Sequence, residues 1–179
     1  MGGHGETEWS KYGRHTGVTD IPLLPEGEER ARSLRPRLAG ERFSRVFSSP
    51  LQRAVRTAEL AGFPDPIKEP LLVEWDYGDY DGITSEQIRE KRPDWNLWRD
   101  GYPNGESVEQ VRTRAAHFLE KISGETEGAV IVFSHGHFLR VLALVFLGLH
   151  DAAGARLNLE TAAVGVLRHQ DHAHRRHPG

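Results

Sequence analysis

The chain contains no cysteine among its 179 residues. This absence excludes disulfide bonds, thiolate zinc sites and a cysteine nucleophile. An excess of one charge is also missing, because 23 basic and 26 acidic residues give a formal net charge of -3. Such a balance provides no general attraction to nucleic acid or to an anionic membrane. We therefore expect no nucleic-acid partner, and any basic site must be local.

Long hydrophobic runs are absent as well. The longest, residues 138–149, is too short to span a bilayer and contains Arg140, so we interpret it as a buried helix. The first residues, 1–4, carry no apolar signal-peptide core. We expect a cytoplasmic protein that does not contact a membrane.

The length and the order of the predicted elements favour one α/β domain. A chain of 179 residues fits one domain better than two. Residues 45–48 and 129–133 predict strands, and the second run is apolar on both faces, as central parallel strands are. Ser49 predicts the N-cap of a helix that follows the first of these strands, and residues 162–167 predict a last strand. Strands that alternate with helices predict a largely parallel sheet.

The C-terminal segment, residues 169–179, is polar and rich in histidine. Clustered imidazoles could bind zinc or nickel weakly. A frayed tail is the main expectation, because termini are commonly disordered and no fixed geometry holds these side chains together. We therefore expect a single domain of residues 1–168 followed by a disordered tail, and no metal site.

Two histidine–glycine segments, Gly3-His4-Gly5 and Ser134-His135-Gly136-His137, indicate one site. Glycine leaves room for a ligand to approach the first histidine. The second segment follows a predicted strand and opens a helix. Ligands of parallel sheets bind beyond the carboxyl ends of the strands, where helix N-termini favour anions. Arg53 lies just past another strand, so we expect an anionic ligand.

Two imidazoles, an arginine and a carboxyl group are suited to phosphoryl transfer. One imidazole attacks phosphorus, the arginine and the second imidazole neutralise the oxygens, and a carboxylic acid protonates the leaving oxygen. Arg53 is a candidate donor, and from spacing alone a solvated surface arginine is an equal alternative. Glu74 ends an apolar run in which burial would raise the pKa of its carboxyl group. The alternative is that Glu74 is simply the first polar residue of a loop.

Four ordered segments carry a family resemblance. The first is residues 3–10 and the second residues 48–58; the third is Glu74 with Gly78 and Gly82, and the fourth is residues 134–137. These segments resemble the motifs of the histidine phosphatase superfamily, also called the phosphoglycerate mutase-like family. The resemblance implies a three-layer α/β/α sandwich with a mostly parallel central sheet.

The resemblance also implies a role for each candidate. His4 becomes the phosphorylated nucleophile and Glu74 the general acid, while His135 and Arg53 stabilise the charge of the transferred group. Water then hydrolyses the phosphohistidine, with Glu74 acting as base. Family members use no metal or other cofactor. Further substrate-binding candidates are Ser10, Thr16, Gly17 and His137.

Three further segments are more similar to phosphatases than to mutases of the same family. Residues 74–82, 95–101 and 104–107 are similar to a branch that contains acid phosphatases and the fungal sedoheptulose-1,7-bisphosphatase. The mutase branch has a longer insertion between the acid and the second histidine, and a short lid should admit water. We expect a monomeric or homodimeric phosphatase that acts on small phosphorylated metabolites, with a phosphoglycerate mutase-type transferase as the alternative.

Gly3 departs from the family pattern, which has arginine there. Glycine offers only a backbone N–H in place of a bidentate guanidinium, and loss of such a donor costs on the order of 100- to 1000-fold in rate. Only two residues precede Gly3, so we expect the N-terminal central strand to be truncated. One explanation is a start shortened or altered relative to a longer natural chain. The other is a weakened or non-catalytic homologue that binds phospho-ligands, and we favour the first because the other site residues remain.

Overall fold

A parallel four-stranded sheet forms the middle of the fold. The computed structural model describes residues 2–125, 128–159 and 161–162. The strands are β1 (Gly2–Gly3), β2 (Arg45–Ser48), β3 (Ile67–Lys68) and β4 (Val130–Ser134). They lie in the order β1-β4-β2-β3, and every pair is parallel. The two strands predicted at 45–48 and 129–133 are confirmed.

Helices connect the strands and cover the sheet. The α-helices are α1 (Glu8–Lys11), α2 (Pro25–Leu38), α3 (Gln52–Leu60), α4 (Ser85–Lys91), α5 (Leu97–Asp100), α6 (Val108–Glu125) and α7 (Gly136–Leu147). Short 3-10 helices span Pro70–Leu72, Gly78–Tyr80 and Asp151–Arg156. In the part of the chain that the structure describes, no helix is long and apolar enough to cross a membrane.

The side chains of β4 alternate between two separate hydrophobic clusters. Ile131 and Phe133 pack with residues of α2 and α3, including Leu34 and Ala58. Val132 faces the opposite cluster, which is built largely from α6, α7 and the aromatic residues between β3 and α6. Alternate residues of a strand point to opposite faces of its sheet, so each face is covered by helices. The expected three-layer α/β/α architecture with a mostly parallel sheet is confirmed.

In the described part of the chain, β1 has two residues. Gly3 pairs with Ser134, and Ser48 pairs with Phe133, so the carboxyl ends of β1, β4 and β2 meet at one edge of the sheet. Among the described strands, β1 is at the end of the order rather than in the middle. The predicted last strand lies outside the described residues except for its first residue, Ala162, and the histidine-rich tail lies wholly outside them.

Helix α3 begins later than the sequence predicts. The N-cap is Leu51, which makes no side-chain cap bond, so the prediction of Ser49 as N-cap is wrong. The backbone N–H of Gln52 instead donates to Oδ1 of Asp20 over 2.8 Å. A carboxylate from a distant loop therefore satisfies a free amide that a local cap would otherwise pair.

Two glycines allow the segment after β1 to cross the start of α2. A Cβ atom on Gly27 would lie 2.1 Å from the carbonyl oxygen of Glu6, and one on Gly5 would lie 2.4 Å from that of Gly27. Both obstacles are backbone atoms, which cannot move aside as a flexible side chain can. This crossing fixes the position of the segment that carries His4.

We expect Gly27→Ala to lower the free energy of unfolding by about 1–3 kcal/mol, because overpacking outweighs the better helix propensity of alanine. The matched control is Gly40→Ala, where an added Cβ has no neighbour within 4 Å. Its effect should stay within about 0.5 kcal/mol. Urea unfolding measures both values, and equal midpoints for the two variants would contradict the proposed backbone crossing.

Candidate active site

His4 follows β1 and is held by its backbone on both sides. Its N–H donates to the carbonyl of Ser134 over 3.1 Å, and its carbonyl accepts from the N–H of Ala162 over 2.9 Å. The ring Nδ1 lies 2.6 Å from the carbonyl oxygen of Gly5. Because a carbonyl can only accept, Nδ1 carries the proton and Nε2 has a free lone pair. Burial, and then the charge of Arg53, lower the pKa of His4 to about 3, so the ring is neutral near pH 7.

His135 follows β4 and has the opposite tautomer. Arg53 donates from Nε to Nδ1 of His135 over 3.2 Å, so Nδ1 is unprotonated. The proton is on Nε2, which donates to Oγ of Ser49 over 2.8 Å. Burial, and then the charge of Arg53, hold the pKa of His135 well below its usual value. The ring centroids of His4 and His135 are 5.1 Å apart.

Arg53 contacts His135 and is fully buried. Its Nη1 donates to the carbonyl of Thr19 over 2.8 Å, and its Nη2 donates to those of Thr16 and Gly17 over 3.3 and 2.7 Å. The guanidinium therefore joins α3 to the loop of residues 16–19. The sequence predicts that Arg53 and Gly17 bind substrate. In the structure the guanidinium of Arg53 donates to the carbonyl of Gly17, and the substrate-binding roles of both residues stay predictions.

Glu74 lies at the N-terminus of α7 and is only 3% exposed. One carboxyl oxygen accepts from the N–H groups of Trp75 and Phe138, each over 2.8 Å, and the other accepts from that of His137 over 3.2 Å. Burial raises the pKa of Glu74, although these amide donors and the charge of Arg53 oppose the shift. The protonated form persists to higher pH than in water, as a general acid requires.

Arg114 on α6 holds the segment that carries Glu74. Its Nη1 donates to the carbonyls of Leu71 and Val73, each over 2.7 Å, and its Nη2 donates to the carbonyl of Glu74 over 3.3 Å. The same guanidinium forms a bidentate pair with Glu106 over 3.0 and 2.8 Å. Sequence reasoning missed Arg114, whose spacing on α6 gives no sign of this long-range contact.

His137 presents a neutral N–H donor. Its Nδ1 contacts the hydroxyl of Tyr77, whose pKa burial raises well above the usual value. The phenol is therefore protonated and donates, which leaves the proton of His137 on Nε2. Burial, and then the charge of Arg140, lower the pKa of His137 to about 3.

A cavity of about 180 Å³ brings most of the candidates together. Its lining residues are Gly3, His4, Ser10, Arg14, Thr16, Glu74, Tyr77, Gly136, His137, Arg140, Leu159 and Thr161. Arg53 and His135 are not part of this wall. Sequence reasoning missed Tyr77, Arg14 and Arg140. The spacing of Arg140 from Gly136 and His137 could have revealed it, because residues three and four apart share a helix face.

Two of the predicted substrate ligands also shape the loop after β1. The hydroxyl of Ser10 donates to the carbonyl of Thr7 over 3.1 Å. It also accepts from the N–H of Thr7 over 2.9 Å, and the N–H of Ser10 donates to the hydroxyl of Thr7 over 3.2 Å, so these two bonds form a capping box for α1. Thr16 donates from its hydroxyl to the carbonyl of Arg14 over 3.4 Å. Both hydroxyls are thus engaged within the protein. Across the described residues, no group of three or more histidines, aspartates or glutamates is arranged to hold a metal ion.

The chain is similar in sequence and in fold to known proteins. The histidine phosphatase superfamily (branch 1) is matched by residues 3–176. The chain belongs to this superfamily. An acid phosphatase of Mycobacterium tuberculosis is 44% identical over 170 residues, which cover 91% of this chain and 82% of that protein. The sedoheptulose 1,7-bisphosphatase of Saccharomyces cerevisiae is 35% identical over 178 residues, which cover 82% of this chain and 66% of the yeast enzyme.

Solved structures support the same family membership. The structure of a Mycobacterium tuberculosis open reading frame product superposes with a TM-score of 0.86 at 40% identity, covering 90% of this chain and 86% of that one. The resemblance inferred from the four motifs is thereby confirmed. The catalytic and binding roles of the individual site residues stay predictions.

Proposed function

We propose that the protein is a phosphatase that hydrolyses small phosphorylated metabolites through a phosphohistidine intermediate, without a metal ion. One observation carries the proposal. His4 and Glu74 line the same cavity, and their surroundings set them up for complementary roles. His4 is neutral with a free Nε2, and Glu74 has a raised pKa that favours its protonated form.

The first step transfers the phosphoryl group to His4. Nε2 attacks phosphorus, the bond from phosphorus to the leaving oxygen breaks, and the carboxylic acid of Glu74 gives that oxygen its proton. The ring becomes positively charged as the N–P bond forms. The bond from Nδ1–H to the carbonyl of Gly5 stabilises that charge and keeps the ring in position.

The second step returns His4 to its starting state. A water molecule attacks phosphorus, and the carboxylate of Glu74 takes a proton from that water. The N–P bond breaks, inorganic phosphate leaves, and Glu74 is protonated again. The names of the relatives, an acid phosphatase and a sugar bisphosphatase, support hydrolysis of a sugar phosphate or of a broad range of phosphomonoesters.

We expect His4→Ala to lower phosphate release by at least about 1000-fold, because the nucleophile is lost. The matched control is His117→Ala, since His117 is exposed on α6 and does not line the cavity. Rates are measured with p-nitrophenyl phosphate and a sugar bisphosphate in EDTA, and acid-quenched protein is analysed for phosphohistidine. Equal rates for the parent chain and His4→Ala would remove the catalytic assignment.

The pH dependence of kcat/KM should be bell-shaped. Activity falls as pH decreases towards about 3, because His4 becomes protonated and cannot attack. It also falls as pH rises through the raised pKa of Glu74, because the acid loses its proton. Glu74→Gln should remove the alkaline limb once ionisation of the substrate is taken into account. If that limb were unchanged in Glu74→Gln, another group would have to be the acid.

Gly3→Arg should raise kcat, because a guanidinium at the cavity wall supplies a charged donor to the transferred group. Gly3 lines the cavity, and a donor of this kind is worth on the order of 100- to 1000-fold in rate. Gly3→Leu is the control for side-chain size without charge. A gain for Gly3→Arg alone supports a catalytic site that lacks one donor. No gain in either variant would contradict the need for a charged donor at position 3.

A further inference from the structure

Arg114 on α6 and Glu106, which precedes that helix, form a largely buried ion pair close to Glu74. Their side chains are 13% and 24% exposed. Nε and Nη2 of Arg114 donate to the two carboxyl oxygens of Glu106 over 3.0 and 2.8 Å. A buried ion pair adds little net stability compared with well-packed apolar residues. The neighbours that the pair contacts are therefore the better guide to its role.

The ion pair binds the backbone on both sides of the Glu74 side chain. A guanidinium has five N–H donors, and those of Arg114 that do not reach Glu106 donate to backbone carbonyls. The acceptors, over 2.7, 2.7 and 3.3 Å, are the carbonyls of Leu71, Val73 and Glu74. Oε2 of Glu106 in turn accepts from the N–H of Asp76 over 3.0 Å. The backbone before and after the side chain of Glu74 is thus attached to α6.

The same pair contacts both residues whose amides bind one oxygen of the carboxyl group. Oε1 of Glu74 accepts from the N–H groups of Trp75 and Phe138, each over 2.8 Å. The indole Nε1 of Trp75 donates to the carbonyl of Glu106 over 2.8 Å. The guanidinium of Arg114 lies over the ring of Phe138, 4.6 Å from its centroid, where the negative face of the ring attracts a cation. Arg114 and Glu106 therefore fix both donors to Oε1.

These contacts make the two carboxyl oxygens of Glu74 unequal. Two short N–H donors occupy the lone pairs of Oε1. Among the described residues, Oε2 accepts only the longer bond, of 3.2 Å, from the N–H of His137. Oε2 therefore has the free lone pair, and in the neutral carboxyl group it carries the proton.

We propose that Arg114 and Glu106 are positioning residues that hold the carboxyl group of Glu74 with Oε2 as the oxygen that protonates the leaving group. They touch no reacting atom and act through Glu74. As the bond from phosphorus to the leaving oxygen breaks, that oxygen takes the proton from Oε2, and Glu74 becomes a carboxylate. Misplacing a reacting group by about 1 Å costs on the order of 100-fold in rate. This inference rests on the proposed phosphatase function and deepens it.

The experiment compares a substrate that needs the acid with one that needs it little. The alkoxide that leaves glycerol 3-phosphate must be protonated, whereas p-nitrophenolate is a stabilised anion that leaves p-nitrophenyl phosphate with little help. The variants are Arg114→Gln, Arg114→Lys and Glu106→Gln, with Glu74→Gln as the reference for a missing acid. The matched control is Arg112→Gln, because Arg112 lies on the same helix and pairs with Asp151 over 2.6 Å.

We expect Arg114→Gln to reduce kcat/KM for glycerol 3-phosphate by about 10- to 100-fold more than for p-nitrophenyl phosphate, mainly through kcat. Glu106→Gln should show the same selectivity. Arg114→Lys should restore part of the loss, because lysine keeps the charge but not the planar fork. In the Glu74→Gln background, Arg114→Gln should add no further selective loss, because the group through which it acts is already missing. Arg112→Gln should leave the ratio of the two substrates unchanged.

An equal loss on both substrates, no loss on either, or an undiminished selective loss in the double variant would overturn the positioning role. Failure of the phosphatase proposal would look different, because His4→Ala would then match the parent chain. If Arg114→Gln does not fold, as judged by circular dichroism, Glu106→Gln decides. That change keeps the size of the side chain and the backbone carbonyl that binds Trp75.

Discussion

The buried guanidinium of Arg53 is the contact on which the rest of the site depends. Its Nε–H donates to His135, and its other donors pair with the carbonyls of Thr16, Gly17 and Thr19. A buried cation costs several kcal/mol in lost hydration unless its donors are paired. Helix α3, the end of β4 and the loop of residues 16–19 must therefore keep their relative positions, and His135 is held in place by the same guanidinium.

The hydrogen bonds around the histidines decide where their protons lie. The carbonyl of Gly5 requires a proton on Nδ1 of His4, whereas the donor Nε–H of Arg53 excludes one from Nδ1 of His135. Burial lowers the pKa of both rings and raises that of Glu74. One buried environment therefore produces a neutral nucleophile and a carboxyl group with a raised pKa. This separation of pKa values is what acid–base chemistry in a single cavity needs.

Local charge in the cavity differs from the charge of the whole chain. The formal net charge is -3, yet Arg14 and Arg140 line a cavity in which Glu74 is the carboxyl group on the wall. Burial favours the neutral form of that carboxyl group. The site is thus locally basic, which agrees with the expectation that any anion site of this chain must be local. Gly3 lies on the same wall and supplies no side-chain donor.

The sequence alone determined the strand ends and the four motifs, because apolar runs, glycines and helix starts are local signals. It therefore predicted that His4 and His135 share one site at the carboxyl ends of the strands, and the family resemblance added Glu74 to that site. Tertiary structure decided the rest. Asp20 pairs with the start of α3 in place of the predicted cap at Ser49. The burial of Arg53, the contacts of Arg114 and the meeting of Arg14 with Arg140 at one cavity depend on segments far apart in the chain. Local spacing places Arg140 on one helix face with Gly136 and His137, but it does not record which distant donors and acceptors will meet.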